Sequence, residues 1–508
     1  ATPMDVSVFK QMWIPFIAPG ARRWAVEHVQ SGQIASARFD AALPLAFFLE
    51  RQKPRVSEEQ MKLNMRLEDV AFTTFGALPP VRNASGNLVL AGSTFGIDVE
   101  KGEVPTNAGG VVNIDNGAFA VANAFLKGPE ANIEVQLSGS AAGLGEIADS
   151  EPFHALSKRD LKPSDLSGSG SASVSIRVPL RQGVTEAEVD WKVSVTTRKV
   201  ASTSPLEGRM FSDADVTIGV TPDEVTINGK ARIDGVPADL SLSQPIGTGG
   251  EAAGQGARSA RLTLDDAARK RLGIGLDEIL GGSVGATISN IEDGSKGQHY
   301  DLDLKRARVI VPGFGWQKAI GVPATLSFDL KPAKSGNGYT VDNIEFAGQG
   351  FGFNGTAQLD KDYGLVSADV DHFALHQGDQ ISFTLDRTKT GYAIVARGAS
   401  FDMKGVIDQV RKNGDSETAS PDVSIDARLE RFVGFNRQVL AGARLNLVTV
   451  AGSIMKLNLA GSLSGSSVNI AYSDTNEGAS LVATSDDAGK VFAFVDLYSR
   501  LSGGRLSV

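Results

Sequence analysis

The chain has 508 residues, a formal net charge of −9 with both signs interspersed, and no cysteine. The charge pattern leaves no broad basic footprint and argues against nucleic acid as a partner. The missing thiols exclude disulfides, zinc–thiolate sites and cysteine nucleophiles.

Glycine is abundant at 57 residues and aromatics make up only 7%, a composition suited to many short strands joined by turns. No run of about 20 apolar residues offers a membrane-spanning helix, and no signal peptide opens the chain. Ala1 stands where Met would, and the closing GGRLSV is still in strand alternation. The sequence therefore reads as a segment of a longer protein, with any targeting signal or membrane anchor outside it.

The first helical candidate is Phe9 to Gln30. Pro15 and Pro19-Gly20 break it and leave Ala21 to Val29, with Trp24, Ala25, His28 and Val29 on one side. Residues 1–32 thus read as a helical connector or cap. Strands follow: Met61, Leu63, Met65 and Leu67 alternate with polar residues, as do Ile133, Val135 and Leu137, and then Ala172, Val174, Ile176, Val178 and Leu180.

The clearest strand signal is Asp213 to Leu242. Val216, Ile218 and Val220, then Val225, Ile227, Ala231 and Ile233, then Ala238, Leu240 and Leu242 fall on alternate positions. Successive side chains of a strand point to opposite faces, so this spacing predicts a three-stranded meander with one apolar and one wet face. Pro222-Asp223 suits a tight turn, and Asp234-Gly235 supplies the positive φ of a short hairpin.

Residues 33–246 form the first β stretch, and 247–264 a Gly-rich linker and strand, the linker being GTGGEAAGQG. An Asp cap opens a helical insertion over 265–281, which Gly273 and Gly275 divide. Strands resume over 282–400 with Leu302/Leu304, Val309/Val311 and Leu326/Phe328/Leu330. A short helix covers 401–413, with Val406, Ile407 and Val410 on one side, and strands return over 414–508. Helix comes to roughly a tenth of the chain, against the usual third.

Across this pattern recurs an apolar-x-Gly-x-small motif, at Gly139, Gly229, Gly355 and Gly461. Each glycine falls on the apolar side, where a missing side chain lets a strand bend or another group approach closely.

Motifs for chemistry fail on context. Gly281-Gly282-Ser283-Val284-Gly285 matches G-x-S-x-G, but a nucleophile elbow runs strand, Ser, helix, whereas here a strand follows. Gly350 to Gly355 matches G-x-G-x-x-G without the helix whose N-terminus would hold a phosphate. Asp369, Asp371, His372 and His376 form the densest polar cluster but fall short of a metal-ligand set. Asp360 to Gly364 opens like a calcium loop and lacks its later ligands, so it reads as a turn. The sequence thus carries no catalytic residue, no metal site and no cofactor, and the chain does not read as an enzyme.

A sheet with one apolar face must cover it. Stacked sandwiches call for regular linkers and a solenoid for a short repeat, and neither is evident. The expected fold is therefore mainly β: a long, twisted antiparallel sheet curled into an open apolar groove, with a few short helices. Its expected lining is Val174, Ile176, Val178, Val216, Ile218, Val225, Ile227, Leu240, Leu242, Leu326, Phe328, Leu457 and Leu459. The competing expectation is that these residues pack into a closed core.

Ala21-Arg22-Arg23-Trp24 with Val29 to Ile34, the block Val225 to Leu242, Leu262 to Arg269, and the closing Asp496-Leu497-Tyr498 and Gly503 to Leu506 together carry a family resemblance. In that order they resemble the AsmA-like envelope proteins, most closely their YhdP-type members. The resemblance implies a bridge-like lipid transfer protein of the Gram-negative periplasm, anchored in the inner membrane through a part outside this segment. Its implied partners are phospholipids and the inner and outer membranes, with envelope proteins as further partners. The alternative expectation is a structural or assembly scaffold of the envelope with a closed β core. A glycan hydrolase ranks last, because no converging carboxylate pair stands out.

Overall fold

The computed structural model describes residues 3–508 apart from 14–17, 45–46, 48, 50–54, 75, 152, 182, 186–187, 207, 247–255, 292–294, 312, 335, 413–420, 476–477 and 499. Most of the predicted Gly-rich linker thus lies outside the described residues. The chain is mainly β, 60% strand and 12% helix, so the strands set the architecture. Among the described residues they form one long sheet of 27 strands, not closed into a barrel, and a separate sheet of three. Two compact units divide the chain, Ala1–Ala260 and Arg261–Val508. Among the described residues, no helix is long and apolar enough to cross a membrane.

In the first unit, strands from Val29–Ala41 through Val236–Pro245 each pair antiparallel with the next. The predicted meander is present as Phe211–Val220, Glu224–Ile233 and Val236–Pro245. Its second turn has Asp234 at φ 48° and Gly235 at φ 77°, as a two-residue hairpin requires.

The helices begin where short polar side chains can accept the free N–H groups of a first turn. Asp5 caps Val6–Met12, and Ser140 caps Ala141–Asp149. The second amphipathic piece is Pro19–His28, started by its proline at the first turn.

The helix Ala141–Asp149 is not legible as a helix in SGSAAG, because two glycines lower its propensity. Packing explains them. A Cβ on Gly143 would sit 2.8 Å from a Val112 methyl, and one on Gly145 would sit 3.0 Å from Leu156. The helix can lie against the strands only without those side chains.

In the second unit, strands from Val284–Ser289 to Gly391–Asp402 are antiparallel. Asp422–Val433 then pairs parallel with Gly391–Asp402, which departs from the expected all-antiparallel order. A parallel neighbour needs a crossover, and the helix Lys404–Lys412 lies within it. Antiparallel pairing resumes through Val439–Val450, Ser453–Leu463, Ser466–Thr475 and Gly478–Ser485.

The helical insertion is shorter than expected, Asp266–Arg271, because Gly273 at φ +74° ends it. Leu280–Gly282 instead pairs with Ala307–Val311, and that strand with Trp316–Lys318, to make the small sheet. Val309 and Val311 therefore belong to this sheet and not to the long one.

Three of the four motif glycines sit at irregularities of register. Gly229 faces Val216 in the second pair after the shift between Ser212 and Asp215, Gly355 adjoins the shift after Asn354, and Gly461 lies opposite the one between Ala441 and Arg444. At Gly229, with φ +145°, a Cβ would fall 2.4 Å from the Asp215 carbonyl oxygen. The extra residue of a β-bulge pushes its strand toward the neighbour, and only a residue without a side chain leaves room. Gly139 serves packing of another kind: a Cβ there would lie 3.1 Å from a Val112 methyl.

Candidate functional site: an apolar trough on the first unit

The strand registers align alternate apolar residues into rows that run across the strands. One row passes Met65, Leu88, Ile97, Phe119, Ile133, Ile176 and Trp191. A second passes Val99, Gly117, Val135, Val174, Val193, Val220 and Val225. A third passes Leu137, Ala172, Val195, Ile218, Ile227 and Leu242.

Most of these side chains are half-buried, from Leu88 to Trp191 in the first row and throughout the other two. The intervening Asn132, Glu134, Gln136, Ser171, Ser173, Ser175 and Arg177 are exposed. One face is thus greasy and the other wet, as the alternation predicts.

Along the strands the burial changes. Beyond the third row the same face becomes a closed core of Val200, Ala214, Val216 and Ala231 with Ala141. A second closed core contains Val104, Val112 and Ile114, against which Leu144 and Ile147 of the helix Ala141–Asp149 pack. The helix covers that end of the face, and the rows beside it stay half-buried as an apolar strip, the candidate trough.

Of the thirteen residues expected to line a groove, Val216 is buried at 8% exposure and the other twelve are half-buried. Val174, Ile176, Val225 and Leu242 lie in the trough rows, and Val178 stands opposite Ala131 beside them; all five are outside the buried clusters. Ile218, Ile227 and Leu240 pack against the core around Val216. The sequence reading omitted Trp191, Val193 and Val195, although their alternation in DWKVSVTT is the same signal, and it also omitted Ile97 and Phe119.

The second unit treats its apolar rows differently. Leu326 pairs across to Phe346, that to Phe353, and that to Phe373, and these join a buried cluster with Phe401, Leu429 and Leu440. The small sheet lies against it: the Trp316 ring is 5.0 Å from Phe351, and Phe314 is 5.7 Å from Phe373 and 5.8 Å from Phe401. Val406 and Ile407 of the crossover helix, and Val491 and Phe494 of Ala488–Phe494, add further cover. Leu326 and Leu459 pack against this core. Leu457 stands in a half-buried row between Leu447 and Tyr472, and Phe328 stacks on Tyr300 at 4.9 Å.

The charged groups serve the scaffold. Buried Arg269 donates to the carbonyls of Leu264 (2.9 Å), Gly282 (2.7 Å) and Leu280 (3.1 Å), tying helix to strand. Lys318 is 2% exposed and donates to Ala307 (2.7 Å) and Ala319 (3.1 Å), its pKa lowered by burial. His299 is held by Asp329 at 2.6 Å, which raises its pKa, with Asp301 adding to the effect.

Asp369, Asp371 and His372 are exposed. The buried Asp379 beside His376 accepts the N–H groups of Leu375, His376 and Asp402 at 2.8–3.0 Å. Asp360 caps its own turn, accepting from Asp362 and Gly364, and pairs with Arg387 at 2.7 Å. Ser283 lies between two strands, and Gly350 leads into one. Among the described residues no three His, Asp or Glu side chains gather as a metal site. A shallow depression of about 640 Å³ is lined by Gly168, Thr196, Arg198, Lys199 and Asp215, none of them a row residue.

Compared with known protein families, with curated proteins and with solved structures, the chain matches none.

Proposed function

We propose that the chain binds phospholipid acyl chains along the trough of the first unit and conducts them between the inner and outer membranes of a Gram-negative envelope. On this reading it is an AsmA-like, YhdP-type protein of the periplasm, anchored in the inner membrane by a part outside this segment, and not an enzyme. The supporting observation is the continuity of the largely half-buried rows, which hold no ionisable side chain across six or seven strands.

At about 4.8 Å per strand, seven strands span roughly 30 Å, longer than one extended lipid tail. Each buried methylene contributes about 0.8 kcal/mol, so a tail gains enough to stay, while a row without polar clamps lets it slide. The test is lipid mass spectrometry on protein purified without detergent. Co-purified phospholipid that falls when Val174→Asp is introduced supports the conduit; lipid-free, stable protein refutes it.

The covered aromatic core of the second unit favours a second reading, an envelope scaffold with a closed β core. That reading expects a lipid-free protein throughout.

A further inference from the structure

In a chain of net charge −9, residues 304–323 (LKRARVIVPGFGWQKAIGVP) carry no acidic residue and four basic ones, of which Lys318 is buried and Lys305, Arg306 and Arg308 are exposed. This stretch builds two strands of the small sheet. Its two flanking turns are joined: the N–H of Gly321 donates to the Lys305 carbonyl at 2.8 Å, and that of Leu304 to Ala324 at 2.9 Å.

One turn exposes Lys305 and Arg306. The other exposes Ile320 at 63% and Val322 at 36%. Ile320 reaches toward the strand end at Gly282, where a Cβ would lie 3.7 Å from the Ile320 methyl. Arg308, one strand position on, is also exposed.

We propose that this tip docks onto an anionic phospholipid surface. Cations beside exposed aliphatic side chains match a membrane interface, where the cations meet lipid phosphates and the aliphatics enter the acyl boundary. A polyanion such as RNA would use the cations and leave Ile320 and Val322 in water, so the aliphatic pair decides between the two. Two neighbouring acids are engaged: Asp303 accepts from the Lys305 N–H at 2.9 Å, and Asp266 accepts from the Gly282 N–H at 2.9 Å and pairs with Arg269. The inference is independent of the trough, because surface docking and tail binding are read by different assays.

The test is co-sedimentation of the full chain with vesicles of phosphatidylcholine alone and with 30% phosphatidylglycerol. Each cation near such a surface is worth about fivefold in affinity, so Lys305→Ala with Arg306→Ala should weaken binding to the anionic vesicles about 25-fold. Ile320→Ser with Val322→Ser should weaken it as well. Lys192→Ala with Lys230→Ala, the same loss of charge on the wet face of the first unit, should leave it unchanged. Equal binding to both vesicle types, an equal loss in the wet-face control, or no vesicle binding overturns the proposal. So does binding to oligothymidylate that Ile320→Ser with Val322→Ser leaves intact, which would reassign the tip to a polyanion.

Discussion

A carboxylate placed at two valines of the same face should have opposite consequences. Val216 is 8% exposed and packs in the core with Val200, Ala214 and Ala231. Val174 is half-buried in the row between Val135 and Val193 and belongs to no buried cluster. A buried charge without a partner costs about 3–5 kcal/mol, so Val216→Asp should lower the urea midpoint sharply or prevent folding.

Val174→Asp forfeits about half the burial of one valine, roughly 1 kcal/mol, and the protein should stay folded. Roughly four methylenes of a bound tail fit within the 4.8 Å between neighbouring strands. Keeping them off the charge sacrifices about 3 kcal/mol, or some hundredfold in affinity. Urea melts followed by circular dichroism, with lipid load measured by mass spectrometry on the same preparations, separate the two. If Val174→Asp unfolds as Val216→Asp does, the rows are a closed core; if it keeps its full lipid load, tails do not lie there.

Other consequences follow from single contacts. Gly229→Val puts a β-branched side chain at φ +145° and against the Asp215 carbonyl, and should cost at least about 2 kcal/mol in a urea melt; an unchanged midpoint would show that the bulge yields. Asp379→Ala leaves the N–H groups of Leu375, His376 and Asp402 without their acceptor, and about 3 kcal/mol should be lost. Asp379→Asn should recover part of that in the same assay.

The bond to Asp329 raises the folded-state pKa of His299 above the ordinary histidine value of 6.5. Its stabilising contribution is therefore complete below about pH 6.5 and is lost as pH rises through the raised value. The difference in urea midpoint between the native chain and His299→Gln should shrink over that interval, and a difference constant from pH 5 to 9 would refute the assignment.

The alternation of Val216 to Leu242 was enough to give three strands, their faces and the Asp234-Gly235 turn, because period-two spacing and turn chemistry are local properties. The Asp265 cap and the amphipathic 404–412 segment were legible for the same reason. The helix at Ala141 was not, since Gly143 makes sense only against Val112, some thirty residues away, and Gly145 only against Leu156 and Leu166. Nor was the parallel pairing of Gly391–Asp402 with Asp422–Val433, a choice between partners that the same alternation fits equally well.

For the candidate site the division is sharper. The sequence by itself determined which residues share the apolar face. Only the tertiary structure decided that Val216 is sealed while Val174 remains half-buried, and that Leu326 joins a core under Phe314 and Trp316. Alternation fixes the side to which a residue points, whereas its burial depends on what the chain brings back over that side: a helix in the first unit, and a small sheet with two helices in the second.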